Sequence, residues 1–472
     1  MKRLHKSLAA LALMGGASAR LAAAPAPALT AVGAGEAARA LDLLKASVGF
    51  RTEQGRGQVP VYAAYLGDLL RKGGFAASDI TIDKVGETGT LILTWAGSDV
   101  SLKPLVVSDH MDVVAADPKD WTRDPFTAVV ENGYVYGRGV YDDKFDVSMV
   151  VTALIALKKE GFVPKRTIVL ALSGDEETDM RTSKLLAEKL KGAEMVLNGD
   201  SGGGALSEAT GKPTVYGLQG GEKTYADFEI AVTSPGGHSS RPGPASANAI
   251  VQLSRDIGRI AAYRFPPQSN ALTIAYLKAT GAGTPGALGA AMKRFAADPK
   301  DAQAAETLSA NPEYVGQVRT TCVTTMLSGG HALNALPQRA AVTVNCRIFP
   351  GVAIATVENQ LKQVVDDPKA VFTVLGDPAA SDASPLTPTI VSAVTKAVAL
   401  NQPGVPIVPN MSAGASDSLY YRAAGVPSYG VSAMFIKPSD DFSHGLNERA
   451  PVAAIPGALA QWHSLLTTLA AR

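Results

Sequence analysis

The spacing of apolar residues predicts alternating helices and short buried strands in the first half of the chain. Apolar positions three and four apart, typical of amphipathic helices, cover residues 36–48 and 59–73. Short apolar runs follow, and helical segments separate them. The strand candidates are residues 90–95, 104–107, 167–172 and 195–197, and the helix candidates are residues 147–158 and 183–191. This alternation predicts an α/β sheet with helices on both faces.

A different order of elements begins after residue 220. The pattern predicts strand 225–232, helix 247–261, strands 318–327 and 340–349, helix 353–365 and strand 370–375. This is the ferredoxin-like order of a small α+β unit. Residues 265–317 form a helical, proline-containing insertion in it, and the α/β pattern resumes with helix 387–400. We therefore expect a small domain, residues 223–380, inserted into a larger one formed by residues 35–222 and 381–472.

The N-terminus has the composition of a secretory signal. Lys2, Arg3 and Lys6 precede a short apolar stretch, and small residues suitable for cleavage follow at positions 17–19 and 22–24. We expect residues 1–24 to be a signal peptide and the mature protein to be periplasmic or secreted. Because no later run reaches the ~18 apolar residues of a membrane span, no membrane association is expected.

The charge balance bears on the expected partners of the protein, and the two cysteines bear on a possible disulfide. The 472 residues include 44 basic and 43 acidic side chains with no lysine- or arginine-rich run, so no nucleic-acid partner is expected. Cys322 and Cys346 lie in two strand candidates joined by a turn-rich stretch. If these strands pair antiparallel about a centre near Asn334, the cysteines face each other. Export permits a disulfide, but two small buried thiols are an equally open alternative.

Acidic and histidine residues cluster just past the ends of the predicted strands, where open α/β sheets place their binding sites. An acidic loop after a strand is by itself more typical of a helix N-terminus. His110 and His444, however, lie in polar segments next to glycine or acidic residues, and histidine with carboxylates suits zinc, cobalt or manganese. The candidate residues are His110, Asp112, Asp142, Glu176, Glu177, Asp200 and His444.

These segments resemble the aminoacylase/carboxypeptidase family of dizinc metallopeptidases, which includes glutamate carboxypeptidase, succinyl-diaminopimelate desuccinylase and carboxypeptidase S. The resemblance extends from about residue 36 to the C-terminus. It implies a zinc-peptidase catalytic domain, with a mixed sheet flanked by helices, and an inserted ferredoxin-like lid domain. The matching motifs are His110-Met111-Asp112-Val113-Val114, residues 137–144, Asp175-Glu176-Glu177, residues 234–240, Asn334-Ala335-Leu336-Pro337, Asn345-Cys346-Arg347, Gly414-Ala415-Ser416-Asp417 and residues 444–449.

The resemblance also implies a role for each candidate residue. Glu176 would be the general base, and Asp112 would orient His110. His238, Asn334 and Arg347 would reach the substrate from the lid. The ligands of two Zn²⁺ ions, for which Co²⁺ or Mn²⁺ could substitute, would be His110 and Asp200 for one ion, Glu177 and His444 for the other, and Asp142 as the bridge, with the peptide bond after Asp142 often cis in this family.

Elementary chemistry agrees with these roles. Two divalent ions and three carboxylates leave about one net positive charge, which favours an ionised water between the ions. A bound metal can lower the pKa of water toward ~7. Adjacent side chains diverge, so Glu176 is free to take the water proton while Glu177 binds the metal. The guanidinium of Arg347 matches a carboxylate in bidentate fashion.

The expected function is hydrolysis of an amide or peptide bond next to a free carboxylate, in a small peptide or N-acyl amino acid. A dipeptidase or aminopeptidase of a related dizinc family is the alternative within enzymes. A zinc-binding protein without catalysis is the alternative outside them, and Glu176 argues against it, because a binding site needs no base. Oligomeric state stays open, with a homodimer through the lid as one expectation.

Overall fold

The computed structural model describes residues 33–471, so the proposed signal peptide lies outside the described residues. Within this range most predicted elements are present, with ends shifted by a few residues. The helices are α1 (Ala34–Val48), α2 (Val59–Lys72), α3 (Lys144–Lys159), α4 (Arg181–Lys189), α5 (Ala249–Ala262), α6 (Ala271–Gly283), α7 (Gly286–Ala297), α8 (Ala302–Ser309), α9 (Pro312–Val318), α10 (Ile354–Val365), α11 (Pro388–Ala399), α12 (Ser418–Ala423) and α13 (Ile455–Ala470).

The strands form one large sheet, one four-stranded sheet and two small ones. No helix among residues 33–471 is long and apolar enough to cross a membrane. The strands are β1 (Ile80–Val85), β2 (Thr88–Trp95), β3 (Leu105–His110), β4 (Val129–Glu131), β5 (Tyr134–Tyr136), β6 (Ile168–Ser173), β7 (Met195–Asn198), β8 (Gly203–Leu206), β9 (Pro213–Glu222), β10 (Thr224–Thr233), β11 (Gly237–His238), β12 (Thr321–Gly329), β13 (Ala335–Leu336), β14 (Arg339–Ile348), β15 (Val371–Leu375), β16 (Ile407–Ser412), β17 (Ser428–Gly430), β18 (Phe435–Ile436) and β19 (Arg449–Pro451).

The large sheet is mixed, and its order is β1-β2-β6-β3-β7-β17-β9-β8-β18, with β16 pairing β9. β3 lies between β6 and β7 and is parallel to both. Both faces are covered. Leu105 and Val107 pack in one apolar cluster with Trp462 of α13, whereas Val106 packs in another with Leu186 of α4. Because successive residues of a strand point to opposite faces, this explains why β3 is apolar at consecutive positions.

The four-stranded sheet is antiparallel and has the order β12-β14-β10-β15. With α5 after β10 and α10 after β14, the elements follow the ferredoxin-like order expected from the sequence. All four strands lie within the expected small domain. Cys322 is directly opposite Cys346 in the β12–β14 register, and the two form a disulfide. Of the two alternatives for the cysteines, the disulfide is therefore the one present.

The insertion has its own apolar core, built by α6 to α9. We expected it within the small domain, but it also packs on the large sheet. Leu272 of α6 is buried against Met411 of β16 and against Phe349, which follows β14. Its side chain also lies over Gly220, where a Cβ atom would approach Leu272 Cδ2 to 2.8 Å. The insertion thus joins the two sheets, which apolar spacing alone does not reveal.

Several elements of the large sheet lacked a clear sequence signal. β9 contains three glycines, and β16 contains Pro409 and Asn410, so neither has a continuous apolar run. β17, β18 and β19 have at most three residues each. Strands of this kind are stabilised by their neighbours in the sheet, and the local pattern does not predict them.

Candidate metal centre

The parallel strands β6, β3 and β7 bring the predicted ligands to one edge of the large sheet. β3 ends at His110, and Asp200 follows β7 by two residues. Glu176 and Glu177 lie in the turn after β6. Because these strands are adjacent and parallel, their C-terminal ends meet, and residues distant in sequence become neighbours.

Asp142 lies between the two histidines. Its Oδ1 is 3.0 Å from His110 Nε2, and its Oδ2 is 3.2 Å from His444 Nε2. Each oxygen of one carboxylate therefore faces a different imidazole. The Asp142–Asp143 peptide bond is cis, as the family resemblance implied. A carboxylate whose two oxygens face two different imidazoles is placed to bridge two ions.

Two further carboxylates complete two groups of three ligand atoms, each group within 4.8 Å. Asp200 Oδ1 is 3.6 Å from His110 Nε2, and Glu177 Oε2 is 2.9 Å from His444 Nε2. Zinc–ligand bonds of ~2.0–2.1 Å in a tetrahedral site place neighbouring ligand atoms ~3.3 Å apart. The observed spacings are close to this value, and nitrogen with carboxylate oxygen is a donor set that suits zinc. The five residues therefore fit a pair of divalent ions.

Charge supports the same conclusion. Burial raises the pKa of Asp200 to about 8, against the effect of its hydrogen bond with His110. Burial also raises the pKa of Glu176 well above its usual range, and the charge of Asp200 adds to this. For Asp142, hydrogen bonds from the two histidines outweigh burial and hold its pKa low. Carboxylates are thus crowded where water is largely excluded, and bound cations would relieve their repulsion.

Asp112 connects one ligand to the turn that carries two others. His110 Nδ1 is 3.1 Å from the carbonyl oxygen of Asp112 and 3.5 Å from its Oδ1. The Asp112 carboxylate also accepts hydrogen bonds from the backbone N–H groups of Glu176, at 3.1 Å, and Glu177, at 3.0 Å. One side chain thereby sets the ring orientation of His110 and the position of the Glu176–Glu177 turn.

Similarity to known proteins agrees with this geometry. The model of "Peptidase family M20/M25/M40" matches residues 106–468, which is most of the chain. The chain belongs to this family. As a member of the M20 family it is a hydrolytic enzyme, and the family is metal-dependent.

Two relatives and two solved structures illustrate the similarity. The human N-fatty-acyl-amino acid synthase/hydrolase PM20D1 is 29% identical over 79% of this chain and 75% of its own length. Carboxypeptidase S of Saccharomyces cerevisiae is 31% identical over 59% of this chain and 50% of its own. The M20 family metallo-carboxypeptidase Sso-CP2 from Sulfolobus solfataricus has a TM-score of 0.68 at 18% identity, covering 91% of this chain and 99% of that one. The Bacillus subtilis YXEP protein, described as a dinuclear metal binding peptidase, has a TM-score of 0.56 at 13% identity, covering 93% and 99%.

A buried ion pair holds the loop that carries Asp142 in this M20 chain. The Glu448 carboxylate is fully buried and lies 2.7 Å from Arg138 Nη1. It also accepts hydrogen bonds from the backbone N–H groups of Gly139 (2.9 Å), Tyr141 (2.8 Å) and Asp142 (3.1 Å). Glu448 lies within the 444–449 motif, which by itself assigns it no role. In the sequence, the only sign of a role was its position four residues after His444. Its hydrogen-bond partners follow from the folded structure.

The three residues expected from the small domain form their hydrogen bonds outside this cluster. His238 is exposed, and its Nδ1 is 2.8 Å from Ser240 Oγ. Asn334 is exposed, and its backbone carbonyl oxygen accepts a hydrogen bond from the backbone N–H of Ser239. Arg347 donates from Nη1 to the carbonyl oxygen of Ala413 at 2.9 Å. Within residues 33–471, none of the three forms a hydrogen bond with a ligand of the candidate centre.

Proposed function

We propose that this M20 enzyme cleaves an amide or peptide bond next to a free carboxylate, acting as a carboxypeptidase or N-acyl-amino-acid hydrolase. The observation that carries the proposal is Asp142, whose two carboxylate oxygens face His110 and His444. The names of two relatives, an N-fatty-acyl-amino acid hydrolase and a carboxypeptidase, describe substrates that share this chemistry. In both, an amide nitrogen lies next to a carbon that bears a carboxylate.

The proposed cofactor is a pair of zinc ions, with cobalt or manganese as substitutes. His110, Asp142 and Asp200 would hold one ion, and Asp142, Glu177 and His444 the other. When bound, the ions supply a Lewis acid and lower the pKa of water, which makes it a nucleophile near neutral pH.

Glu176 is the proposed general base. Its backbone N–H is held by Asp112, as is that of Glu177, so the two side chains start from one fixed turn. Glu177 lies against His444, which leaves the Glu176 carboxylate to take a proton from water and deliver it to the leaving nitrogen. Glu176 is not needed as a metal ligand, because each of the two groups has three ligand atoms without it.

The substrate would be held from the small domain. Arg347 lies on β14, its guanidinium stacks over the Tyr225 ring at 4.7 Å, and it is half-buried. It contacts a carbonyl oxygen rather than a carboxylate, so its charge is available to an anionic ligand. We assign it the substrate carboxylate, with Asn334 beside the substrate and His238 as a hydrogen-bond donor to the oxyanion. These residues would reach the cleavage site when the two domains close.

Exchange of Arg347 tests the substrate class. Arg347→Lys should lower kcat/KM for N-acyl amino acids and peptides about 10- to 100-fold, because a bidentate charged hydrogen bond is lost. Substrates whose carboxylate is replaced by an amide should be poor for the wild type and unaffected by the exchange. The measurement is hydrolysis of matched acid and amide pairs with added zinc or cobalt.

Arg339→Lys is the matched control, since Arg339 lies on the same strand and pairs with Glu229. It should leave both substrate types unchanged. If the wild type cleaves acids and amides equally well, or Arg347→Lys leaves their ratio as it was, the carboxylate preference is wrong. Rapid cleavage of dipeptide amides with a free N-terminus would instead support the aminopeptidase alternative.

A homodimer through the small domain is the proposed assembly. β12 is the edge strand of the four-stranded sheet, and edges present unpaired backbone groups. Val323, Met326 and Leu327 on this strand are 58%, 71% and 68% exposed. Replacement of Met326 and Leu327 by Glu should convert the dimer into a monomer, as measured by sedimentation equilibrium. Val100→Glu, at an exposed site of the large domain, should not; a wild-type monomer would contradict the proposal.

Export to the periplasm or the medium is the proposed localisation. It is supported by the charged and apolar pattern of the first residues and is compatible with the Cys322–Cys346 disulfide. Mass spectrometry of the N-terminus of the protein recovered from a bacterial host should show cleavage near residue 19 or 24. An intact N-terminus in the cytoplasmic fraction would contradict it.

A further inference from the structure

A cavity lies where β8, β9 and β18 of the large sheet meet α11 and α13. Its volume is about 570 Å³, within the range of ~300–1,000 Å³ typical of small-molecule sites. None of the proposed metal ligands, and none of the three small-domain residues, is among the residues that line it. The cavity is therefore separate from the site of the proposed reaction.

One part of the cavity wall is apolar, and polar side chains such as Gln402 and Gln461 line the rest. Leu206, Phe435 and Ile436 come from the two paired strands at the sheet edge, β8 and β18. Val398 of α11 and Pro456 of α13 close the other sides. Phe435 is held in place by Tyr216, at 5.8 Å between ring centroids. This apolar part favours an apolar chain, and each methylene group buried against it should tighten binding about fourfold.

The charged groups at this cavity leave a net positive charge. Lys212 and Lys437 line it, and Lys212 is exposed. The carboxylate that lines it, Asp440, is already paired with Arg449 at 2.5 Å and accepts a hydrogen bond from Tyr134 at 2.9 Å.

A second carboxylate, that of Glu208, lies nearby and accepts hydrogen bonds from the N–H and hydroxyl of Ser439. With Arg449 included, three cationic side chains and two carboxylates lie at or near the cavity, which leaves one net positive charge. An anionic end group would be attracted and a cationic one repelled.

We propose that this cavity is a binding site for a fatty-acid-like molecule, an apolar chain that ends in one carboxylate. The apolar part of the ligand would pack against Leu206, Phe435 and Val398, and its carboxylate would lie next to Lys212 and Lys437. Binding here does not depend on the metal centre or on the proposed hydrolysis. It is therefore tested without a measurement of activity.

Titration calorimetry with decanoate tests the site in the full-length enzyme with its metals. Octanoate should bind about 15-fold more weakly than decanoate, because it lacks two methylene groups. Decanol should bind about fivefold more weakly, because it loses two solvent-exposed ion pairs. Equal binding of decanol and decanoate would overturn the carboxylate part of the proposal.

Variants locate the binding. Ala453→Trp places a bulky ring in the exposed part of the lining and should reduce decanoate affinity more than tenfold. The double variant Lys212→Glu, Lys437→Glu should do the same by repulsion, and it tests the site even if the tryptophan variant does not fold. Ala76→Trp and Lys84→Glu, at exposed positions that do not line the cavity, are the matched controls. Unchanged decanoate affinity in both cavity variants would assign any binding to another site and overturn the proposal.

Discussion

Glu176→Gln should abolish most of the turnover and leave both metal ions in place. A general base typically contributes ~10²–10⁴-fold to the rate, and the exchange removes the proton acceptor while keeping the size of the side chain. The Asp112 carboxylate accepts its hydrogen bond from the backbone N–H of Glu176, which the exchange does not alter. The measurements are kcat on an N-acyl amino acid and the metal content by elemental analysis.

Two further variants distinguish a general base from a metal ligand at position 176. Asp179→Asn, in the same turn but exposed, should retain both activity and metal. Asp142→Asn should lower the metal content as well as the rate, because Asp142 belongs to both ligand groups. Near-normal turnover of Glu176→Gln with full metal content would remove Glu176 from the mechanism, and a loss of metal in that variant would make it a ligand instead of a base.

Glu448→Ala should lower the free energy of unfolding by about 3–5 kcal/mol. The carboxylate and Arg138 are both buried, and removal of one partner leaves an uncompensated buried charge. Three backbone N–H groups of the segment from Gly139 to Asp142 also lose their acceptor. Since this segment positions Asp142, metal content should fall together with stability. Urea unfolding and elemental analysis of the same preparation measure the two effects.

An exposed pair provides the contrast. Glu131 pairs with Arg123, and their side chains are 47% and 28% exposed. Glu131→Ala should change the free energy of unfolding by no more than about 1 kcal/mol, the usual range for surface ion pairs. If Glu448→Ala is as mild as Glu131→Ala, the buried pair does not hold the Asp142 loop.

The helices and central strands could be predicted because their signals are local. β3 and β6 are short apolar runs, and α1 and α2 repeat apolar residues every three or four positions. β9 and β16 were not predicted, since glycine and proline interrupt them and their neighbours in the sheet stabilise them. The packing of Leu272 against Met411 was also not predictable, because a contact between distant segments leaves no mark on the spacing of either.

The candidate site was also partly predictable from the sequence and partly dependent on the fold. The chain alone determined which side chains are available, since histidine and carboxylates at strand ends have an intrinsic affinity for metal ions. Whether the two cysteines form a disulfide depended on the β12–β14 register, which places Cys322 opposite Cys346. The role of Glu448 depended on burial, which turns a charge next to His444 into an ion pair with Arg138.

Only the tertiary structure decided how the ligands meet. The order β6-β3-β7 brings Glu177, His110 and Asp200 to one edge, and the loop before α3 inserts Asp142 between the two histidines. These distances join segments that are remote in sequence, so they follow from sheet topology and packing and not from any local pattern. The sequence determined the donor atoms and the local elements that carry them, and the fold determined that one carboxylate faces both imidazoles.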